Sequence, residues 1–217
     1  MKYTQEEIYE IVRLGDLATI VSMIQDGVDV NNFMIYKKTD VLLVSIFKEN
    51  LFLINHVLSL GFDCEKNKIL YLHHAIRIGN LTILEVLLNH YKKNKLNKNQ
   101  KNNEGNSLLH IACSNYNQDN AQIIVYLYKN LHKYLNLKKN IWLIGNKNKE
   151  TALHILLRRN YPLDSDIVDI LVEQKSNVFK KQDNFNLDCK DIILSYANSQ
   201  SWLSNENHQR LLEHIKK

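Results

Sequence analysis

Apolar residues recur along the chain as paired short stripes with helical spacing. Ile8, Ile11 and Val12 form one stripe, and Ile20, Val21, Met23 and Ile24 the next. Later ones are Leu53/Ile54/Val57/Leu58, Ile83/Leu84/Leu87/Leu88, Ile123/Ile124/Leu127 and Ile167/Val168/Leu171. Neighbours at one, three or four residues share one face of an α-helix, so each stripe predicts a helix with one buried side. Polar punctuation separates the stripes. Thr4-x-x-Glu7 is a capping box that opens the first helix. Gly15-Asp16 and Gly79-Asn80 predict helix–helix turns, and Gly27 and Gly61 stand where helices end. Ser204 is predicted to cap a last helix carrying Leu211, Leu212 and Ile215. One Pro and six Gly in 217 residues argue against a β fold with many tight turns.

The stripes come with a second pattern. Glu104-Gly-Asn-Ser-Leu-Leu-His-Ile-Ala-Cys113 resembles the ankyrin signature, a turn followed by a T-P-L-H-x-A helix start. Ser107 stands for Thr and Leu108 for Pro, while Leu109, His110 and Ala112 match. The pattern recurs at Thr151-Ala-Leu-His154 and, more weakly, at Tyr71-Leu-His-His-Ala75. Gly27-Val-Asp-Val-Asn31 resembles the family's G-A-D-V-N close. The resemblance implies an all-α solenoid of about six helix-turn-helix units with short hairpin-like fingers, in one domain over 1–217. The units fall near 4–31, 38–64, 69–96, 103–137, 149–179 and 183–217, the last with a C-terminal cap. Unit two is degenerate, with Leu43 in the histidine slot, and unit six carries Asp191 there. Two junctions, Asn89–Asn106 and Lys129–Lys149, are about four and about eight residues longer than a ~33-residue repeat. The turns Ser114–Asn120 and the one holding Pro162 are also extended.

Net charge of +5 conceals an asymmetry. Residues 92–149 hold eleven Lys against Glu104 and Asp119, a net of +9, and the rest of the chain nets −4. A clustered positive patch steers an acidic partner; a solvated Lys/Asn loop is the plainer alternative. The nearby tyrosines sit at helix-core spacing, which argues against nucleic acid. The longest apolar run, 41–47, is far short of the ~20 residues of a membrane span. MKYTQEEIYE has no apolar segment, so no Sec-type signal is expected.

Candidate chemistry is sparse. Cys64, Cys113 and Cys189 form no C-x-x-C pair, which suits a reducing compartment. No G-x-S-x-G, Walker A, dinucleotide or H-E-x-x-H motif occurs. In the family, His73, His110 and His154 would tie each hairpin to its neighbour, so no metal, cofactor or catalytic residue is expected. The resemblance implies a non-enzymatic protein–protein interaction module, a monomer binding a protein with an acidic surface through its concave face and fingers. The expected contact residues are Arg77, Asn115, Arg158 and Arg159, just after the signature Ala slots, with Lys138, Lys139 and Trp142 in the longer insertion. Trp142 has a competing reading, in which it seals the insertion against the stack. The Asn/Lys-rich composition fits a host-directed effector in a host cytosol; a cytoplasmic scaffold of a larger enzyme or toxin, or a subunit of a complex, is the alternative.

Overall fold

The structure is a computed structural model. It describes residues 3–14, 16–29, 31, 34–35, 39–97, 99–117, 120–135, 140–159, 161–196 and 204–216. The described residues are mostly helical, with almost no strand. The chain divides into two compact units, 1–97 and 98–217.

Unit one contains α1 (Gln5–Leu14), α2 (Leu17–Gln25), α3 (Val41–Phe47), α4 (Leu51–Ser59), α5 (Tyr71–Ile78) and α6 (Leu81–Lys93). A two-stranded antiparallel ribbon, β1 (Met34–Ile35) and β2 (Thr39–Asp40), pairs Met34 with Asp40. The helices form hairpins α1/α2, α3/α4 and α5/α6. α3 packs against both α1 and α5, and α4 against α6. The Thr4/Glu7 box forms as expected, with Thr4 N–H on Glu7 Oε2 at 2.7 Å and Glu7 N–H on Thr4 Oγ1 at 3.2 Å. Asp16, Asn50 and Asn80 cap the second helix of each hairpin by accepting the N–H three residues on. Each removes one of the orphan donors of a helix start. Successive loops are tied at a constant separation. Asp63 N–H donates to Asn31 Oδ1 at 2.7 Å and Asn97 N–H to Glu65 Oε1 at 3.1 Å, each link spanning 32 residues. The sequence stripes are the core: Ile8, Val12, Ile20, Leu53, Ile54, Ile83 and Leu84 are all buried.

Unit two contains α7 (Leu108–Ser114), α8 (Ala121–Leu135), α9 (Ala152–Arg158), α10 (Ser165–Val172), α11 (Cys189–Tyr196) and α12 (Glu206–Lys216). α9 lies between α7 and α11, and α10 contacts both α8 and α12. Leu109, Leu153, Ile124, Leu127, Val168 and Leu171 fill the space between these rows. The extended turns of this unit seal one another. Tyr116 Oη donates to Pro162 O at 2.8 Å and accepts Asp164 N–H at 2.9 Å. Leu163 N–H then reaches His208 Nε2 on α12 at 3.1 Å. One helix start differs from expectation. Asn205, not Ser204, caps α12, because its Oδ1 accepts His208 N–H at 3.2 Å, three residues on. Among the described residues no helix is long and apolar enough to cross a membrane.

Candidate interaction surface

Unit two carries a turn–helix module three times. Each begins with an Asx residue: Asn102, Asn146 and Asp183. Its Oδ1 accepts the N–H two residues on, from Glu104 (3.1 Å), Asn148 (2.9 Å) and Phe185 (2.8 Å). The same oxygen accepts the N–H four residues on, from Asn106 (2.9 Å), Glu150 (3.0 Å) and Leu187 (3.1 Å). The Asx N–H closes the turn on the carbonyl of that last residue, at 3.1, 2.9 and 3.0 Å. The fourth residue takes positive φ: Gly105 at 79°, Lys149 at 59°, Asn186 at 58°. A short Asx side chain that folds onto its own backbone is what makes such a turn rigid.

Each turn leads directly into a capped helix. Ser107 and Thr151 present a hydroxyl to the Nδ1 of His110 (2.7 Å) and His154 (2.8 Å), and their N–H groups donate to the same nitrogens. Asp188 and Asp191 repeat the arrangement with carboxylates. The far side of each imidazole crosses to the next turn. His110 Nε2 meets Glu150 O at 3.0 Å and His154 Nε2 meets Leu187 O at 3.1 Å. A carbonyl only accepts, so Nε2 carries the proton; Nδ1 accepts the Ser107 or Thr151 N–H and carries none, so both rings are neutral. Burial holds both pKa values below the ordinary histidine value of 6.5. With both nitrogens engaged, neither ring is open to a metal, and among the described residues no three His, Cys, Asp or Glu side chains converge on one.

The turns also bond to each other. Lys147 N–H donates to Glu104 O at 2.9 Å, and Asn184 N–H to Asn148 O at 3.0 Å. Gly105 suits the first of these junctions, where two backbones come close, and its φ of 79° favours glycine. A Cβ there would lie 3.1 Å from the Lys147 nitrogen.

The expected contact residues separate into several groups. Arg159 and Arg77 are exposed. The Arg159 guanidinium lies 5.2 Å from the Tyr161 ring centroid. Arg158 is half-buried and committed, with its guanidinium paired to Glu150 and to Asp183. Burial alone would raise the Asp183 pKa, but Arg158 and the Phe185 and Leu187 N–H groups outweigh it and hold the carboxyl low. Arg158 therefore clamps two turns together and is not a free contact cation. Asn115 caps the end of α7 and its carbonyl accepts Asn120 Nδ2 at 2.6 Å, a structural position. Lys138 and Lys139 lie outside the described residues.

Trp142 is 0% exposed, so the anchor reading fails for it and the sealing alternative fits. It sits in a 3-10 turn, Ile141–Leu143, with its ring 6.4 Å from that of Tyr128. Among the described residues its Nε1 finds no acceptor. An unpaired buried N–H costs about 1–3 kcal/mol. Burying roughly 200 Å² of indole contributes about 5 kcal/mol, so the seal wins. Asn140 holds the turn by accepting Trp142 N–H at 3.0 Å and donating to Gln174 Oε1 at 2.8 Å.

Reactive groups elsewhere are quenched. All three cysteines are free and buried. Burial pushes the Cys64 thiol up to about 12 and raises those of Cys113 and Cys189 as well, so none is a thiolate at neutral pH. Cys64 lines a 560 Å³ cavity in unit one, with Asn55, Phe62, His90 and Lys93. No nucleophile–base pair is set up there among the described residues.

Sequence reading missed the three Asx residues and Phe185. Aligning 102–110, 146–154 and 183–191 would have exposed the former: Asx first, an αL residue fourth, a hydroxyl or carboxylate sixth, His or Asp ninth. No protein-family model matches the chain, and no curated protein matches it.

Proposed function

We propose that the chain is an ankyrin-like repeat scaffold and acts as a non-enzymatic protein–protein interaction module. The observation that carries this reading is the threefold turn–helix module, with each histidine tied to the following turn. Such a framework is held by backbone and buried side chains, so exposed positions on the turns and on α7, α9 and α11 are free to specify a partner. The partner presents an acidic surface. Lys101, Lys147 and Lys149 are exposed on or beside the first two turns, and Arg159 is exposed at the end of α9. Exposed cations of this kind raise association rates for an acidic surface more than they add affinity. The composition is in keeping with an effector delivered to a host cytosol.

The test begins with affinity capture and then measures binding of the purified partner. Arg159→Glu and a Lys147→Glu/Lys149→Glu pair should each weaken binding while leaving the melting temperature unchanged. Raising salt should slow association. Unchanged affinity in both variants would remove the acidic-partner reading.

A further inference from the structure

The turn-to-turn bonds have a fixed register. In both junctions the second residue of a turn donates its N–H to the third residue's carbonyl in the preceding turn: Lys147 to Glu104, Asn184 to Asn148. The corresponding carbonyl of the third turn belongs to Phe185. Among the described residues no hydrogen bond to it is found, although the turn around it is closed by the same Asp183 bonds as the others.

The side chains change at the same place. The third residue is Glu104 in the first turn, Asn148 in the second and Phe185 in the third. Phe185 is 72% exposed and Leu187, two residues on, is 42% exposed. The Phe185 backbone is fixed by Asp183, and the Arg158 guanidinium lies 6.0 Å from its ring centroid. An exposed aromatic on a rigid turn loses little entropy when a partner covers it. Asp191 supplies a further contrast. The preceding histidines donate from Nε2 to hold the next turn, and an aspartate side chain in that slot has no N–H to donate. The third turn therefore offers a seated segment the Phe185 carbonyl and an apolar surface, and no imidazole.

We propose that the edge of the third turn, Asp183–Leu187, is a docking site for a turn or extended segment of a partner protein. That segment adds in the register of the two existing junctions. It donates one main-chain N–H to Phe185 O and lays an apolar or aromatic side chain over Phe185 and Leu187. This is edge addition of the kind by which extended peptides extend a sheet, with backbone bonds giving affinity and a side-chain contact giving choice. The occupant is inferred from what already sits on the other two turn edges. The proposal rests on the binding-module reading and adds to it an apolar, backbone-directed contact distinct from the basic one.

The experiment selects binders to the full chain from a phage-displayed library of disulfide-closed turn peptides. Selected peptides are then measured against the wild type, Phe185→Ala and Arg159→Glu. The expected result is a loss of roughly tenfold or more with Phe185→Ala, as for an aromatic hot spot, at unchanged melting temperature. N-methylation of a single peptide N–H should give a similar loss, and Arg159→Glu little. Peptides indifferent to Phe185→Ala, or selections that yield no binder, would overturn the proposal. Sedimentation showing self-association of the chain that Phe185→Ala abolishes would also overturn it, by making a second copy the occupant. Loss with Arg159→Glu but not Phe185→Ala would leave the acidic-partner reading standing and sink this one. The reverse pattern is the one this proposal expects, and it leaves the acidic-partner reading to its own test with the purified partner.

Discussion

The two units tie their hairpins together with opposite chemistry. In unit two, a neutral imidazole of one module donates forward to the carbonyl that closes the next turn. In unit one, the tie between the second and third hairpins runs backward. Asp40, buried at the start of α3, accepts Leu43 N–H at 2.9 Å from its own helix, Asn67 Nδ2 at 3.1 Å and the Tyr71 hydroxyl from α5. Burial and the neighbouring Asp40 charge push the Tyr71 pKa up, so the phenol remains a donor. The turn before α5 shows why unit one needs another device. Lys68 there has φ of 54° and bonds back to Glu65 O, as the fourth residue of the unit-two turns does. Glu65 takes the Asx place, and its carboxylate reaches out to Asn97. Leu70 takes the hydroxyl place and caps nothing with its side chain. The same turn outline is thus kept without the Asx and the hydroxyl of the unit-two turns, and a buried carboxylate ties it to the preceding hairpin. The lesson is that a repeat is defined by where donors and acceptors must meet, and two chemistries satisfy that requirement.

Substitutions can break this comparison at several strengths. The largest effect belongs to what the units share. Leu153→Ala in unit two and Leu72→Ala in unit one each truncate a 0%-exposed side chain. Each should cost about 2–5 kcal/mol in denaturant unfolding. Values under half a kcal/mol would mean that the interhelical core is misplaced. Asp40→Ala should follow at about 2–4 kcal/mol, because it strands three donors in a buried place. If Asp40→Ala were silent while His154→Ala was costly, only unit two would possess a real tie.

His154→Ala and His110→Ala should each cost about 1–3 kcal/mol. Their pH dependence sharpens the contrast. Both rings are held below 6.5 by burial in the folded state. Below that value the unfolded chain binds more protons than the folded one. Their contribution is therefore full above about pH 6.5 and is lost as pH falls toward the folded values. His74, His90 and His208 are depressed by burial too and add to the same slope. Unfolding midpoints should decline from pH 7 to pH 5, less steeply in the His110/His154 double variant; an unchanged slope in that variant would contradict the assignment. Arg158→Ala should cost about 1–2 kcal/mol, discounted because its side chain is 31% exposed. Phe185→Ala should be the smallest change to stability, within ~0.5 kcal/mol, as an exposed site.

Much of this was legible in the chain. Helix positions follow from the apolar stripes, and the structural His110 and His154 from the resemblance carried by 104–113 and 151–154. What was hidden had long-range causes. Arg158 sits where exposure is expected on its own helix, but Glu150 and Asp183 arrive from two turns, 8 and 25 residues away. Asp40 and Tyr71 meet across 31 residues with no local signature. The Asx residues were concealed by the abundance of asparagine around them. Trp142 could be read two ways, because sequence gives an insertion's length and not what it folds against.

The central claim is that the unit-two modules are joined by neutral imidazoles donating from Nε2. Long-range ¹⁵N–¹H correlation spectra of the histidine rings test it directly at neutral pH. His110 and His154 should both appear as the Nε2–H tautomer, each with a slowly exchanging ring proton. An Nδ1–H tautomer, or a doubly protonated ring at either residue, would contradict the account.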